Sequence, residues 1–256
     1  MRRSRRAAAS LAIGGAILAI ALAAPAASFA GGPLAGWWPM NEGRGQTVHD
    51  WSGNGNHGTL GSTPGVDADD PTWTQGMFGA GRALAFDGED IVTIPRDPSL
   101  EPKRLTVSSW VRAPQSPGAF RYIVAKGSEA CLAASYGLYT GRDGGLAFYV
   151  FDGTQYYVSP AAPPTLWDGA WHNAAGTFDG SKVRLFVDGR QVGTGTPVPA
   201  ETTIAYPLAD GTGGIGGYPG DACALTLQGD IDTVRIWNQA LPIELYWAFA
   251  RSLFNR

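Results

Sequence analysis

The chain is poor in the residues that most often carry out catalysis, with three histidines and two cysteines among 256 residues. It contains no Gly-x-Ser-x-Gly elbow, no His-Glu-x-x-His helix and no Cys-x-x-Cys pair. The histidines, His49, His57 and His172, stand in Gly-rich or strand-like contexts, where structural roles are common. The sequence therefore offers no recognisable site for nucleophilic or metal-assisted catalysis, and we expect a protein that is not an enzyme.

Basic residues are also scarce beyond the first thirty positions. Four of the nineteen lysines and arginines lie there and all twenty-two acidic residues lie after it, which leaves residues 31–256 with a net charge of −7. An acidic surface without a lysine or arginine cluster repels phosphate groups. Nucleic acid and anionic membranes are therefore not expected partners.

The N-terminal residues 1–30 have the pattern of a secretory signal peptide. Four arginines within the first six residues precede an apolar run over 11–24, and the small residues Ser28 and Ala30 suit a signal peptidase. Paired arginines also occur in twin-arginine export, but alanines follow Arg6 where that route has bulky apolar residues. We expect cleavage after Ala30, a secreted or extracellular protein, and no stable membrane insertion afterwards.

The two cysteines, Cys131 and Cys223, predict one disulfide bond. An exported chain meets oxidising conditions, and an even number of cysteines favours pairing. No histidine or second cysteine stands close enough in sequence to suggest a metal pair.

The remaining residues, 31–256, are predicted to form a single all-β domain. Thirty-six glycines and eighteen prolines are spread along the chain between short apolar or alternating runs, which is typical of an antiparallel β-protein. The strand-like runs are 36–40, 82–86, 91–94, 105–111, 122–126, 137–140, 146–151, 156–159, 172–178, 183–187, 191–194, 215–217 and 229–237.

Turn and helix signals complete the pattern. Four Asp-Gly pairs between strand-like runs predict hairpin tips, because glycine supplies the positive φ that a tight turn needs; they are 87–88, 152–153, 179–180 and 188–189. Within 105–111, Leu105, Val107 and Val111 share one parity, as expected for a strand with two different faces. After Pro242, apolar residues recur every three to four positions, which predicts one short helix over 243–253.

Seven stretches, taken in order, resemble a laminin-G-like domain of the concanavalin A-like lectin/glucanase superfamily. They are Trp-Trp-Pro-Met-Asn-Glu-Gly at 37–43, Asp-Trp-Ser-Gly-Asn-Gly-Asn-His-Gly at 50–58, and the segments 81–88, 105–111, 171–180, 183–189 and 229–238. The resemblance implies an antiparallel two-sheet jelly-roll sandwich, with ligand sites on its concave face or on the loop rim. It also implies a binding role without chemistry.

Glycosidases of this superfamily carry a Glu-x-Asp-x-x-Glu pattern, because retaining hydrolysis needs an acid and a nucleophile on one face. The nearest approach here, Asp230-Ile231-Asp232, lacks the glutamates. We therefore expect a non-catalytic module that recognises an extracellular glycan or protein surface. A structural or adhesive envelope protein without a specific small ligand remains an alternative, and a hydrolase or lyase is disfavoured.

Nine tryptophans are the most prominent candidates for sugar contacts. Five lie in strand-like motifs and are expected in the core: Trp37, Trp38, Trp110, Trp171 and Trp237. Trp51, Trp73 and Trp167 lie in loop-like segments and are candidates for a binding rim. One of the adjacent pair Tyr156 and Tyr157 must face away from the core if that segment is a strand.

A structural calcium ion is predicted where the loop 50–58 meets the last strand. The loop offers Asp50, Asn54 and Asn56 among glycines, and the strand offers Asp230 and Asp232, which are oxygen ligands of the kind calcium takes. The resemblance supports such an ion at the sandwich edge. The alternative is that the aspartate and asparagines cap turns with their own backbone.

Overall fold

The computed structural model describes residues 33–77, 79, 81–127, 134–206, 211–219, 225–245 and 247. The predicted signal peptide, Cys131 and Cys223 lie outside these residues, so secretion and the disulfide bond stay predictions. The predicted C-terminal helix is described at 243–245 and 247, where the backbone is helical. No helix among the described residues is both long enough and apolar enough to span a membrane.

The described chain forms two antiparallel sheets packed face to face, the architecture that the sequence predicts. Its strands are β1 Leu34–Trp38, β2 Thr47–Val48, β3 Gly58–Leu60, β4 Thr72–Gln75, β5 Arg82–Asp87, β6 Val92–Ile94, β7 Leu105–Arg112, β8 Tyr122–Lys126, β9 Tyr136–Thr140, β10 Leu146–Phe151, β11 Tyr156–Val158, β12 His172–Phe178, β13 Lys182–Val187, β14 Arg190–Gln191, β15 Thr196–Pro197, β16 Gly213–Ile215 and β17 Gln228–Trp237. Two short 3-10 helices cover Pro98–Leu100 and Pro164–Leu166.

The nine-stranded sheet has the order β14-β13-β12-β7-β17-β5-β4, with β1 beside β17 and β15 beside β13. The eight-stranded sheet has the order β11-β10-β9-β8-β16-β6-β3-β2. β1 and β17 pair antiparallel with Trp38 opposite Val234, so the first and last strands are neighbours.

The core lies between the sheets and is filled by the side chains at alternate positions of the strands. Leu105, Val107 and Val111 of β7 all point into it, as their shared parity predicts. Phe148 of the eight-stranded sheet packs against Gly176 of the nine-stranded sheet, where an added Cβ would lie 2.1 Å from the ring. The glycine therefore allows the two sheets to approach closely. Each large apolar side chain buried in this way contributes about 1.5–3 kcal/mol.

The outer face of the nine-stranded sheet is covered by the segment that follows β17. Leu241 and Ile243 pack there against Ala175 and Phe186. The Thr106 hydroxyl accepts the Leu241 backbone N–H at 2.8 Å, and it donates to the Gln239 carbonyl at 2.9 Å. The C-terminal segment therefore covers part of this face, and the candidate ligand-binding surface lies on the outer face of the eight-stranded sheet.

Three of the four predicted Asp-Gly hairpins are confirmed: 152–153 joins β10 to β11, 179–180 joins β12 to β13, and 188–189 joins β13 to β14. The prediction at Asp87-Gly88 is wrong. β5 belongs to the nine-stranded sheet and β6 to the eight-stranded sheet, so this pair carries the chain across the sandwich. Gly88 has a positive φ of 107° in a connection between the two sheets. An Asp-Gly pair supplies positive φ both in a hairpin and in such a connection, so the local sequence does not distinguish them.

Candidate functional site: an aromatic band on the eight-stranded sheet

Aromatic side chains gather on the outer face of the eight-stranded sheet because of strand alternation. In β10, Leu146, Phe148 and Val150 point into the core, while Ala147 and Tyr149 point outward. The neighbouring strands place further rings on the same face. We call the set the aromatic band; its members are Phe120, Tyr122, Tyr139, Tyr149, Phe151, Tyr156 and Tyr218.

Consecutive rings of the aromatic band touch one another. From Phe120 the contacts run to Tyr139 at 6.4 Å, then to Tyr149 at 5.2 Å, and then to Tyr156 at 5.3 Å between ring centroids. Tyr156 in turn stacks on Phe151 at 4.6 Å. Edge-to-face and offset contacts of this kind stabilise a fixed arrangement of the rings. The result is a rigid row of rings that supports the exposed rings at its two ends.

The centre of the band is buried and its ends are open. Tyr139 and Tyr149 are 7% and 4% exposed, whereas Phe120 is 44% and Tyr156 is 40% exposed. Tyr156 faces outward while its neighbour Tyr157 packs against the core, as the strand alternation predicts. The residues available to a ligand are therefore those at the two ends.

Phe120 is held in an unusual backbone conformation. Its φ is 59°, in the left-handed region that costs a residue with a Cβ about 1–2 kcal/mol. Its N–H donates to the Thr140 carbonyl at 2.9 Å, which fixes the segment that presents the ring. Strain that is kept at an exposed aromatic residue is an observation that points to function.

The tyrosine hydroxyls at the centre of the band are neutral donors and acceptors. Tyr122 and Tyr149 share a hydrogen bond of 3.0 Å between their oxygens. Burial raises the pKa of Tyr149 well above its usual value, and burial raises the pKa of Tyr122 as well. Both hydroxyls are therefore neutral near pH 7.

The loop 50–58 is organised by the Asp50 carboxylate. Its Oδ1 accepts the N–H groups of Trp37 at 2.9 Å and Ser52 at 2.8 Å. Its Oδ2 accepts the Ser52 hydroxyl at 2.8 Å and the Asn56 N–H at 2.9 Å. Four donors occupy the four lone-pair directions of the carboxylate. Asp50 therefore caps the turn, which is the alternative to calcium binding that the sequence left open.

The other predicted calcium ligands also have protein partners. The Asn54 and Asn56 side-chain amides both donate to the Ala35 carbonyl at 3.0 Å. Asp230 forms an ion pair with Arg112 at 2.5 Å, and Asp232 accepts the Met77 N–H at 2.8 Å. Burial raises the pKa of the Asp232 carboxyl. Among the described residues, no group of three or more histidine, cysteine and acidic side chains is arranged to hold a metal.

This donor set fits a capped turn better than a hard cation, since calcium would require Asp50 to give up bonds that it already makes. Asp50→Ala is expected to destabilise the protein by about 2 kcal/mol, because it leaves four donors without their acceptor. Calcium at these residues stays a prediction. Calorimetric melting of the wild type and Asp50→Ala, each in calcium and in excess chelator, tests both points. A calcium-dependent rise of the midpoint that Asp50→Ala abolishes would support the ion. Equal midpoints in the wild type would exclude it.

The histidines have polar partners on the surface. His172 lies between Asp188, 2.8 Å from its Nδ1, and Asp168, 3.2 Å from its Nε2. Burial disfavours the charged ring, but the hydrogen bonds and charges of the two aspartates outweigh it and raise the pKa of His172. His172 is therefore half-buried and held between two carboxylates.

The tryptophans divide differently from the sequence expectation. Trp167, a rim candidate, is 5% exposed and donates its Nε1 hydrogen to the Gly144 carbonyl at 2.9 Å. Trp73 packs against the core from β4. Of the five tryptophans expected in the core, only Trp38 is fully buried, whereas the others are half-buried: Trp37, Trp110, Trp171 and Trp237. Trp51 is 62% exposed, so it is the rim candidate that a ligand could contact.

Comparison with known families gives a match over most of the two sheets. A laminin G family model, described as the concanavalin A-like lectin/glucanases superfamily, matches residues 86–244, more than half of the chain. A search of curated proteins finds no match.

Solved structures share the fold at low sequence identity. Domain 4 of AbnA, an extracellular arabinanase from Geobacillus stearothermophilus, in complex with arabinotriose, is 20% identical with a TM-score of 0.59, over 82% of this chain and 96% of that one. A botulinum neurotoxin type C structure, whose cell entry depends on two ganglioside molecules, is 14% identical with a TM-score of 0.58, over 85% of this chain and 51% of that one. Trypanosoma rangeli sialidase is 15% identical with a TM-score of 0.57, over 84% of this chain but 32% of that one.

Proposed function

We propose that this chain, which belongs to the concanavalin A-like lectin/glucanases superfamily, is a secreted, non-catalytic module that binds an extracellular glycan on the aromatic band. The observation that carries the proposal is the pair of exposed rings, Phe120 and Tyr156, at the ends of a rigid aromatic strip. Aromatic faces stack on the apolar faces of sugar rings and cost little conformational entropy when they are already fixed. Two separate exposed rings suit a glycan that is long enough to contact both.

The ionisable groups of the band and of β17 support binding without chemistry. The phenols are held neutral by burial, and the acidic side chains that sequence analysis singled out, Asp230 and Asp232, have structural partners. The neighbouring folds supply precedent, since one was solved with arabinotriose and another belongs to a toxin that depends on gangliosides. The sialidase is a much longer chain, and its activity is not carried over to this protein.

A glycan array that includes arabino-oligosaccharides and ganglioside headgroups tests the proposal. We expect selective binding to one sugar class by the wild type. Phe120→Gly should weaken that binding at least tenfold, because it removes the ring, and should leave stability unchanged or raised, because glycine relieves the left-handed strain. Tyr156→Ala should weaken binding as well.

Val66→Ala provides the control, since Val66 is 84% exposed and is not part of the band. Its binding should equal that of the wild type. A blank array would favour the adhesive alternative. Full binding by Phe120→Gly and Tyr156→Ala would remove the band as the site.

A further inference from the structure

A groove lies at the edge of the eight-stranded sheet opposite to Tyr156. β11, which carries Tyr156, is the first strand in the order of that sheet, and β2 is the last. The loop after β2 forms a groove of about 620 Å³, which is within the range of about 300–1,000 Å³ for small-molecule sites. We call it the Trp51 groove; it is lined by Asn41, Glu42, His49, Asp50, Trp51 and His57.

The exposed ring of Trp51 is held in place from behind. The Trp51 N–H donates to the Trp37 carbonyl at 2.7 Å, and the two indoles meet edge-on with centroids 5.8 Å apart. The Arg235 guanidinium lies over the Trp37 ring at 5.1 Å, on the strand that pairs with β1. A large apolar face therefore stays in solvent in a fixed orientation, supported by three successive contacts.

Hydrogen-bonding groups without a partner collect at the same place. Glu42 Oε1 accepts the His49 N–H at 2.9 Å, but Oε2 is buried with no partner. The Nε1 of Trp37, whose indole meets Trp51 edge-on, is also buried without one, but Trp37 does not line the groove. A ligand hydroxyl placed beside Glu42 would therefore meet a carboxylate oxygen that lacks a partner.

His57 adds a donor of defined tautomer. Its Nδ1 accepts the Asp50 N–H at 3.0 Å, so the neutral ring carries its proton on Nε2. Asn41 accepts the Arg82 N–H with its carbonyl oxygen, which leaves its NH₂ group as a donor. The groove thus combines donors and a carboxylate acceptor around one exposed aromatic face.

We infer that the Trp51 groove binds one residue of a neutral sugar, at a site separate from the aromatic band. A pyranose ring offers an apolar face for Trp51 and hydroxyls that both donate and accept. The two carboxylates that line the groove, Glu42 and Asp50, disfavour anionic sugars, and no lysine or arginine of the described part of the chain lines it. The inference goes beyond the proposed function, because it assigns a second site and the charge of its ligand.

Saturation-transfer NMR tests the inference on the full chain. The probes are the methyl glycosides of glucose, galactose, mannose, xylose and glucuronic acid. We expect at least one neutral glycoside to bind and the glucuronide not to bind. Trp51→Ala should abolish the signal and Trp51→Phe should retain part of it. Glu42→Gln should weaken binding at least fivefold.

Two controls separate this site from the aromatic band and from folding. Phe120→Gly should bind the monosaccharide probe as the wild type does, whereas Trp51→Ala should keep its binding to the glycan-array ligand at the band. Thermal melting of Trp51→Ala, matched to Val66→Ala, checks that the fold persists. The inference is wrong if no neutral glycoside binds, if the glucuronide binds best, or if Trp51→Ala binds the probes unchanged. Loss in Phe120→Gly alone would assign the sugar to the band.

Discussion

Glu101→Gln is expected to destabilise the protein by about 3 kcal/mol at pH 7, because it removes the carboxylate that pairs with the buried Lys126. The Lys126 side chain is 3% exposed, and its Nζ lies 3.3 Å from Glu101 Oε1 while also donating to the Gly211 carbonyl. Arg96 pairs with the same carboxylate at 2.8 Å. Without Glu101, the ammonium stays buried and keeps the Gly211 carbonyl as its acceptor among the described residues.

The pH dependence of this loss has a defined sign. Burial lowers the pKa of Lys126, although the charge of Glu101 opposes the shift. A lysine whose folded-state pKa lies below its unfolded value costs stability below that folded pKa, and the cost shrinks as pH rises toward 10.5. Removal of Glu101 lowers the pKa further. Urea unfolding should therefore show a larger loss at pH 7 than at pH 10.

A double-mutant cycle provides the control for this prediction. Lys126→Met should cost less than Glu101→Gln, because Glu101 keeps Arg96 as a partner. Glu101→Gln combined with Lys126→Met should recover much of the loss, since no buried charge remains. Glu89→Gln, at an exposed carboxylate, should change stability little. If the two losses simply add in the double variant, the two groups are not coupled.

Gly145→Ala is expected to lower the free energy of unfolding by about 2–3 kcal/mol and the melting midpoint by several degrees. A Cβ at Gly145 would lie 1.8 Å from the Ala162 backbone carbonyl, which cannot rotate away as a side chain can. The neighbouring bonds, from Ala162 N–H to the Leu146 carbonyl and from Trp167 Nε1 to the Gly144 carbonyl, would have to shift with it.

Gly65→Ala is the matched control, because the nearest atom to its added Cβ is Thr63 Oγ1 at 3.9 Å. Its melting midpoint should stay close to that of the wild type. The turn at 144–145 also supports the segment that carries Phe120, through the bond from the Ser116 hydroxyl to the Gly144 carbonyl at 2.7 Å. Gly145→Ala should therefore also weaken glycan binding at the aromatic band. An unchanged melting midpoint in Gly145→Ala would show that the Ala162 carbonyl can move away from the added Cβ.

Alternation within single strands could be predicted because it depends only on local geometry. Successive side chains of a strand point to opposite faces. The apolar residues at alternate positions of β7 therefore predicted which of its faces lies in the core. The adjacent pair Tyr156 and Tyr157 likewise predicted that one of the two rings faces outward. Glycine in an Asp-Gly turn is likewise a local requirement, and it located three hairpins. The family resemblance then supplied the two-sheet architecture.

The roles of loop residues could not be predicted from such local patterns. Asp50 was compatible with a cation or with a capped turn, and only the positions of Trp37, Ser52 and Asn56 around it show which donors it meets. Trp167 stands in a loop-like sequence, yet its ring is buried because the chain folds back over it. Burial of a loop residue depends on what packs on it.

The sequence by itself determined the secondary-structure class, the strand faces and most hairpins, because these follow from the conformational preferences of neighbouring residues. Only the tertiary structure decided that Asp87-Gly88 crosses between sheets, that separate strands bring their outward tyrosines into one band, and that Trp51 lies above Trp37 beside Glu42 and His57. Strand order and sheet packing set these contacts between residues far apart in the chain, and no local pattern encodes such distances.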